Sequence, residues 1–273
     1  MTRDSTLRSG LRSPRLLWIP AAAGLALIVL PVAGLLFRVD FARLPELLTS
    51  QASLDALELS LVTAGLSTLL CVLLGVPLAV VLARVRRGGR VLRAVVVLPL
   101  VMPPVVGGLA LLYLLGRNGF AGYLLDVVAG VRVPFTTAAE GLAQTFVAMP
   151  FLVISLDGAI RAGGDEYERV AATLGAGPWV VFTRVTLPLL LPPLASGVVL
   201  SFARALGEFG ATITFAGSLQ AVTRTLPLEV YAQAEADVES AVALSLLLIV
   251  VAIAVIVAAG PRMTARVTEG ARP

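Results

Sequence analysis

Hydrophobic positions fall into six long runs, residues 16–37, 54–85, 91–115, 138–160, 189–216 and 240–259, each of about 20 or more mostly apolar residues. At about 1.5 Å of rise per residue, any one of them wound as a helix crosses a hydrocarbon core of roughly 30 Å. The pattern predicts an all-α integral membrane protein with six transmembrane helices. The second and fifth runs exceed the length that a crossing needs, so they are predicted to tilt or break. The polar interruptions are too short to bury a core of their own, which excludes a soluble domain between spans. Residues 1–53 then hold an N-terminal segment, the first membrane helix and a loop, 54–260 a single membrane domain that forms the conducting unit, and 261–273 a tail.

One interruption has a pattern of its own. Residues 165–188 read DEYERVAATLGAGPWVVFTRVTLP. Asp165 is placed to cap a helix whose third residue is Glu168, the reciprocal arrangement that satisfies free N–H groups at a helix start. Tyr167, Val170, Ala171 and Leu174 fall at i, i+3, i+4 and i+7 and make one apolar stripe, with Glu166, Arg169 and Thr173 mostly turned away from it. A short helix so built lies against something. Gly175 stops it, Pro178 stands where a second helix places its first residue, and Pro188 is predicted to end or kink that second run.

Composition narrows the function. Hydrophobic residues make up 58% of the 273 residues and charged ones 14%, far from the usage of a water-soluble domain. All 21 basic residues are arginine, and both lysine and histidine are missing. That excludes a standard phosphate-binding P-loop, a histidine triad, a histidine zinc site and a lysine Schiff base. The single cysteine, Cys71, lies in an apolar run with no partner and reads as a packing residue. The net charge of +4 does not point to nucleic acid, because the arginines flank spans and are not interleaved with aromatics.

With the N terminus in the cytoplasm, segments 1–15, 84–93, 161–184 and 262–272 lie inside and carry fifteen arginines, whereas 38–43, 117–132 and the loop at Arg224 lie outside and carry five. The bias predicts cytoplasmic N and C termini and places 165–188 in the cytoplasm. The first run is longer than a signal-peptide core and no clear small-x-small site follows, so it is read as a retained anchor.

Two spans carry candidate chemistry. The third contains Leu98-Pro99-Leu100-Val101-Met102-Pro103-Pro104 followed by Gly107-Gly108, whose prolines free backbone carbonyls that need protein or water to satisfy them. A kinked helix facing a pore and a packed kink without a role in conduction both fit. In the fifth, Ala203, Gly207 and Ala211 recur every four residues and suit a close helix–helix seam. Arg204 and Glu208 are four apart and can pair; a structural ion pair and a direct gating role are both open, since charges inside a membrane must face protein or water. Thr212, Thr214 and Ser218, with Arg224 in the following loop, offer the donors that an oxyanion accepts, although ordinary packing and loop solvation explain each singly. Residues 228–237 are predicted to form a surface helix bearing Glu229, Glu235 and Asp237, a face for a binding protein.

Two motifs carry a family resemblance. Gly175, nine residues, then Val185-Thr186-Leu187-Pro188 resembles the cytoplasmic signature of bacterial ABC importer permeases, Glu-Ala-Ala, three residues, Gly, nine residues, Ile, one residue, Leu-Pro. Here Arg169, Val170 and Ala171 stand at the Glu-Ala-Ala positions and Glu168 is one place early. Phe202 to Gly217, FARALGEFGATITFAG, with Thr223 to Tyr231, TRTLPLEVY, is similar to the molybdate ABC transporter permease family over about 54–259. Ala-Arg-Ala-Leu-Gly-Glu-Phe-Gly also occurs in sulfate and tungstate permeases, while Thr-Arg-Thr-Leu-Pro-Leu tilts the likeness toward molybdate.

The resemblance implies a type I ABC importer permease in the bacterial inner membrane, a homodimer without an ATP site or cofactor of its own. It would bind two ATPase subunits through a coupling helix, with Glu168, Arg169, Ala171, Gly175, Leu187 and Pro188 as coupling residues. A periplasmic or lipid-anchored binding protein would deliver molybdate. It also implies that spans three and five line the path, with Arg204, Gly207, Glu208, Gly210, Thr212 and Thr214 as path or gate residues. The rival from another class is a proton-coupled secondary transporter with Glu58, Asp157 or Glu208 as relay; no internal repeat of the kind found in many such carriers is evident. A membrane enzyme fits poorly, since the acids are not clustered and the usual nucleophile–base sets are missing.

Overall fold

Ser50 opens the longest helix. Its backbone is extended and its hydroxyl accepts the Ser53 N–H, after which Gln51–Arg84 winds without a break despite Pro77. The computed structural model describes residues 15–85 and 87–269. Arg3, Arg8, Arg12, Arg86 and Arg272, counted above, lie outside the described residues. Every regular element among the described residues is helical: α1 (Trp18–Leu36), α2 (Leu44–Leu48), α3 (Gln51–Arg84), α4 (Gly89–Val101), α5 (Pro104–Leu115), α6 (Phe120–Ala129) and α7 (Thr137–Gly163), followed by α8 (Glu166–Thr173), α9 (Pro178–Val181), α10 (Leu187–Leu206), α11 (Gly210–Phe215), α12 (Leu226–Ala236) and α13 (Val238–Glu269). Five are long and apolar enough to cross a membrane, and six crossings result when α4 and α5 are taken as one broken span. This is a multi-pass membrane protein. The last helix continues to Glu269, through most of the stretch read as a tail.

The core is the seam between α3, α7 and α10. Ala64, Cys71 and Ala79 of α3 meet Ala148, Leu152 and Leu156 of α7 and Leu190 and Leu206 of α10. Small residues set the spacing. A Cβ on Gly75 would stand 3.0 Å from Leu152 Cδ2, and one on Gly197 would stand 2.7 Å from Leu152 Cδ1. Contacts fix the directions: Gln144 meets Thr63 and Thr145 meets Ser67, so α3 and α7 run parallel. The Ser201 hydroxyl reaches the Ala148 carbonyl and the Ser155 hydroxyl the Pro193 carbonyl, so α10 runs antiparallel to both. Thr63, Thr68 and Thr145 donate to carbonyls one turn back, so their own hydroxyl protons are satisfied within the helix. Cys71 is buried in this seam, its thiol on the Thr145 carbonyl, as a packing residue.

The bundle has two distinguishable ends. Leu82, Arg84, Arg93, Asp157 and Glu168 meet at the arginine-rich end. Arg43 with Glu239, Thr137 with Val222 and Ser60 with Leu226 mark the opposite end. By contrast α1 buries no residue within the chain and stands at the periphery.

Both spans singled out for their prolines and glycines are broken. Between α4 and α5 the axis turns by 111°, far more than a kink. Pro103 and Pro104 have no N–H for the carbonyls of Pro99 and Leu100, so the helix ends and restarts with Pro104 in its first turn. The fifth span stops at Leu206 and restarts at Gly210, leaving Gly207, Glu208 and Phe209 as an irregular joint.

Candidate translocation and docking sites

The two breaks lie against each other. A Cβ on Gly210 would stand 2.7 Å from Pro104 Cβ and 3.3 Å from the Val105 nitrogen, and one on Gly108 would stand 2.6 Å from the Ala211 carbonyl oxygen and 2.9 Å from its Cα. The close seam is therefore Pro104 and Gly108 against Gly210 and Ala211. The sequence reading put it on Ala203, Gly207 and Ala211. Gly207 has no such neighbour, since an added Cβ would find only the Ala203 carbonyl at 3.7 Å. Four-residue spacing requires one continuous helix, and the joint at Gly207 interrupts it.

Glu208 is the pivot of that joint. Its carboxylate, 1% exposed, lies 2.6 Å from Arg204 Nη2. Its Oε1 also accepts the Ala211 N–H at 2.7 Å and so closes the start of α11. Arg204 and Glu208 do pair, but across the end of α10 and not along one helix. The hydroxyls next to them are mostly committed. Thr214 donates to the Gly210 and Ala211 carbonyls, while Arg224 is spent on Ser218 and Glu229. Thr212 is fully buried, and its hydroxyl has no partner among the described residues. Helix α12 starts at Leu226, and Glu229 is buried against Arg224 and Gln233, so the predicted surface helix turns one of its acids inward.

A second buried polar group escaped the sequence reading. Glu140 and Gln144, one turn apart on α7, are enclosed, with the Gln144 amide donating to Thr63 and to Glu140. An acid four residues before a glutamine inside an apolar run was the available signal. The acids considered for a relay sit apart. Glu58 is exposed on α3. Asp157 lies between Arg93 and Arg161, each at 3.0 Å. Glu208 is bound to Arg204.

At the arginine-rich end, α8 presents its stripe outward. Tyr167 is 68% exposed and Leu174 83%, and Val170 and the Trp179 of α9 are exposed beside them. Among the described residues, Tyr167, Val170 and Leu174 are left mostly uncovered. Gly175 has φ +84°, and the Ala176 N–H reaches the Ala171 carbonyl, the left-handed ending that glycine makes without strain. The expected reciprocal cap does not form. The Asp165 carboxylate pairs with Arg169, which raises the guanidinium further above its ordinary value. Glu168, half-buried, points into the chain instead of back to its own helix start, and Ala171 is half-buried beside it.

Pro188 does not end its run, which continues from Pro178 to Leu206. The segment Phe182–Thr186 is wound as a π-helix, and the Leu187 N–H reaches back to the Phe182 carbonyl. That wide turn absorbs the proline, whose ring crowds the carbonyl four residues back. Leu187 and Pro188 thus sit inside one rod made of α9, the π turn and α10, with Leu187 half-buried and Pro188 exposed.

Comparison with known proteins decides the family. The family described as "Binding-protein-dependent transport system inner membrane component" matches residues 72–266. The chain belongs to this family. Among similar relatives of this inner membrane component is the Molybdenum transport system permease protein ModB of Mycobacterium tuberculosis, 59% identical over 221 residues that cover 81% of this chain and 83% of that protein. The protein of the same name from Escherichia coli K12 is 42% identical over 178 residues, 65% of this chain and 78% of that one. A chain in the crystal structure of a bacterial alginate ABC transporter, in complex with an alginate pentasaccharide-bound periplasmic protein, has a TM-score of 0.71 at 22% identity and covers 92% of this chain and 95% of its own. A chain of the MetNI methionine ABC transporter, in an inward-facing conformation, has a TM-score of 0.62 at 16% identity over 78% of this chain and 94% of its own. The architecture is that of a type I ABC importer permease, and the family consists of transport components, not enzymes. Both broken spans and α8 fall within the matched residues of this inner membrane component, and α1 falls outside them.

Proposed function

We propose that the chain is the permease subunit of an ATP-driven importer that carries molybdate across the bacterial cytoplasmic membrane. The observation that carries this reading is the uncovered apolar face of Tyr167, Val170, Leu174 and Trp179 at the arginine-rich end. An apolar patch outside the spans marks a docking site, and the named relatives are molybdenum permeases. The partner at that face is an ATPase, supplied separately because the chain has no lysine for a P-loop. The arginine bias supports a cytoplasmic position for that face and for both termini. A molybdate-binding protein meets the opposite end, and two copies of the chain enclose the path, with 54–260 as the conducting unit.

In this mechanism ATP draws the docking helices together, and the bundle passes between two rigid arrangements. The joints at Met102-Pro103 and Gly207-Phe209 let the half-helices move. Arg204, Glu208, Gly210, Thr212 and Thr214 lie on or beside the second joint and form the path or gate. The chain performs no bond chemistry.

Reconstituted with ATPase and binding protein in vesicles, the chain should take up molybdate only with ATP, and tungstate and sulfate should compete less well. Uptake that continues without the ATPase and collapses with the proton gradient would sink the reading, and stronger competition by tungstate or sulfate would move the substrate. A narrower test is Gly175→Leu. Its φ of +84° makes any side chain there cost about 1–2 kcal/mol of strain, so the ATPase should no longer co-purify while the bundle still inserts. Normal ATPase retention would remove α8 from the docking face.

A further inference from the structure

The structure assigns Glu168 a role that its place on the docking helix does not suggest. Helix α8 stands off the bundle across two clefts. One, of about 190 Å³, opens toward Ile160, Gly163 and Leu190; the other, of about 450 Å³, opens toward Ala83 and Arg161. Glu168 lines both clefts. Both of its carboxylate oxygens lie 3.1 Å from Arg84 Nη2 at the end of α3, and Oε1 also accepts the hydroxyl proton of Thr186. Thr186 is 4% exposed and is the last residue of the π turn at the root of α10. One carboxylate therefore ties α8 to two membrane helices at once, beside the packing of α8 on α9 and the π turn.

We propose that Glu168 is a positioning residue, a strut that makes α8, the end of α3 and the π turn move as one body. Displacement of α8 then enters the bundle through Arg84 and Thr186. Helix α10 leads to the joint at Glu208, so the π turn stands at the near end of the rod whose far end is broken. A π turn holds one more residue per turn than the helix around it and can rewind locally. A charge-assisted contact at that turn would set which winding is held. This rests on the docking reading above; Thr186 is buried and Glu168 is turned toward it, while the Arg84 side chain is 51% exposed.

The test uses the full chain with its ATPase and binding protein in lipid nanodiscs and vesicles. Arg84→Ala and Thr186→Val each release one arm of the strut, while Arg84→Lys and Thr186→Ser keep the charge or the hydroxyl. Both disruptive variants should keep the ATPase bound and hydrolysing, yet lower anion uptake per ATP by about tenfold, the ratio expected for one lost hydrogen bond to a charged group. The conservative variants should keep most of the coupling. Amide exchange over 166–173 and 182–186 should quicken together by a similar factor in the disruptive variants. Unchanged uptake per ATP in both, or unchanged exchange over both segments, overturns the strut. Loss of the ATPase from Glu168→Gln overturns it too, because Glu168 would then be a partner contact. If the unaltered chain itself fails to hold the ATPase, the docking reading fails separately, and the exchange measurement still decides the strut.

Discussion

Replacing Arg204 with alanine is expected to destabilise the bundle by about 3 kcal/mol and to abolish uptake, since removing one partner of a buried pair leaves a charge without compensation. Glu208 is 1% exposed and stays in place, because its other oxygen holds the Ala211 N–H at the start of α11. It cannot turn to water without opening that helix. Arg204, 26% exposed on its side chain, keeps some solvent contact, which holds the cost to the lower end of the range for buried pairs. Glu208→Gln should be milder, since the amide oxygen still accepts from Ala211 and no bare carboxylate remains. Thermal unfolding of the purified protein, read beside uptake, checks both variants. Equal stability of Arg204→Ala and the unaltered chain would mean that the joint does not depend on the pair.

The second large effect is at the seam between the half-helices. Gly108→Ala should cost about 1–3 kcal/mol, the usual penalty for forcing an extra carbon into a filled interior. Its Cβ would stand 2.6 Å from the Ala211 carbonyl oxygen and 2.9 Å from its Cα, backbone atoms that have no rotamer to escape into. Gly108→Leu should separate α5 from α11 and stop transport altogether. Gly207→Ala is the matched control: its nearest neighbour would be 3.7 Å away, so stability should change by less than about 1 kcal/mol. The reverse ranking, with Gly207 sensitive and Gly108 tolerant, would restore the seam that residue spacing alone suggested.

What was legible depended on the range of the interaction. Apolar runs located the spans, and the prolines of the third marked a kink where the helix breaks, because both follow from local backbone chemistry. The 111° turn at that break was not legible, since its angle is set by the packing of α5 on α11, about a hundred positions away in the chain. The same limit explains the failed cap on α8. Reading residues 165–168 alone favours a reciprocal cap, but Arg84 lies close in space and attracts the Glu168 carboxylate more strongly than a backbone N–H does. Pro188 looked like a stop because the π turn that accommodates it has no sequence rule. Glu140 and Glu229 went unread as buried groups: Glu140 is enclosed beside Gln144, which Thr63 of α3 holds in turn, and Glu229 is buried against Arg224 of the loop before its helix.

Helix α1 makes the first crossing of the membrane without burying any residue within the chain. A part that buries no residue within the chain can be changed at little cost to the packing of the remainder. Its gain or loss would alter the number of crossings by one and move the N terminus to the other face. Selection on how the polypeptide is inserted can therefore proceed independently of selection on what the bundle transports.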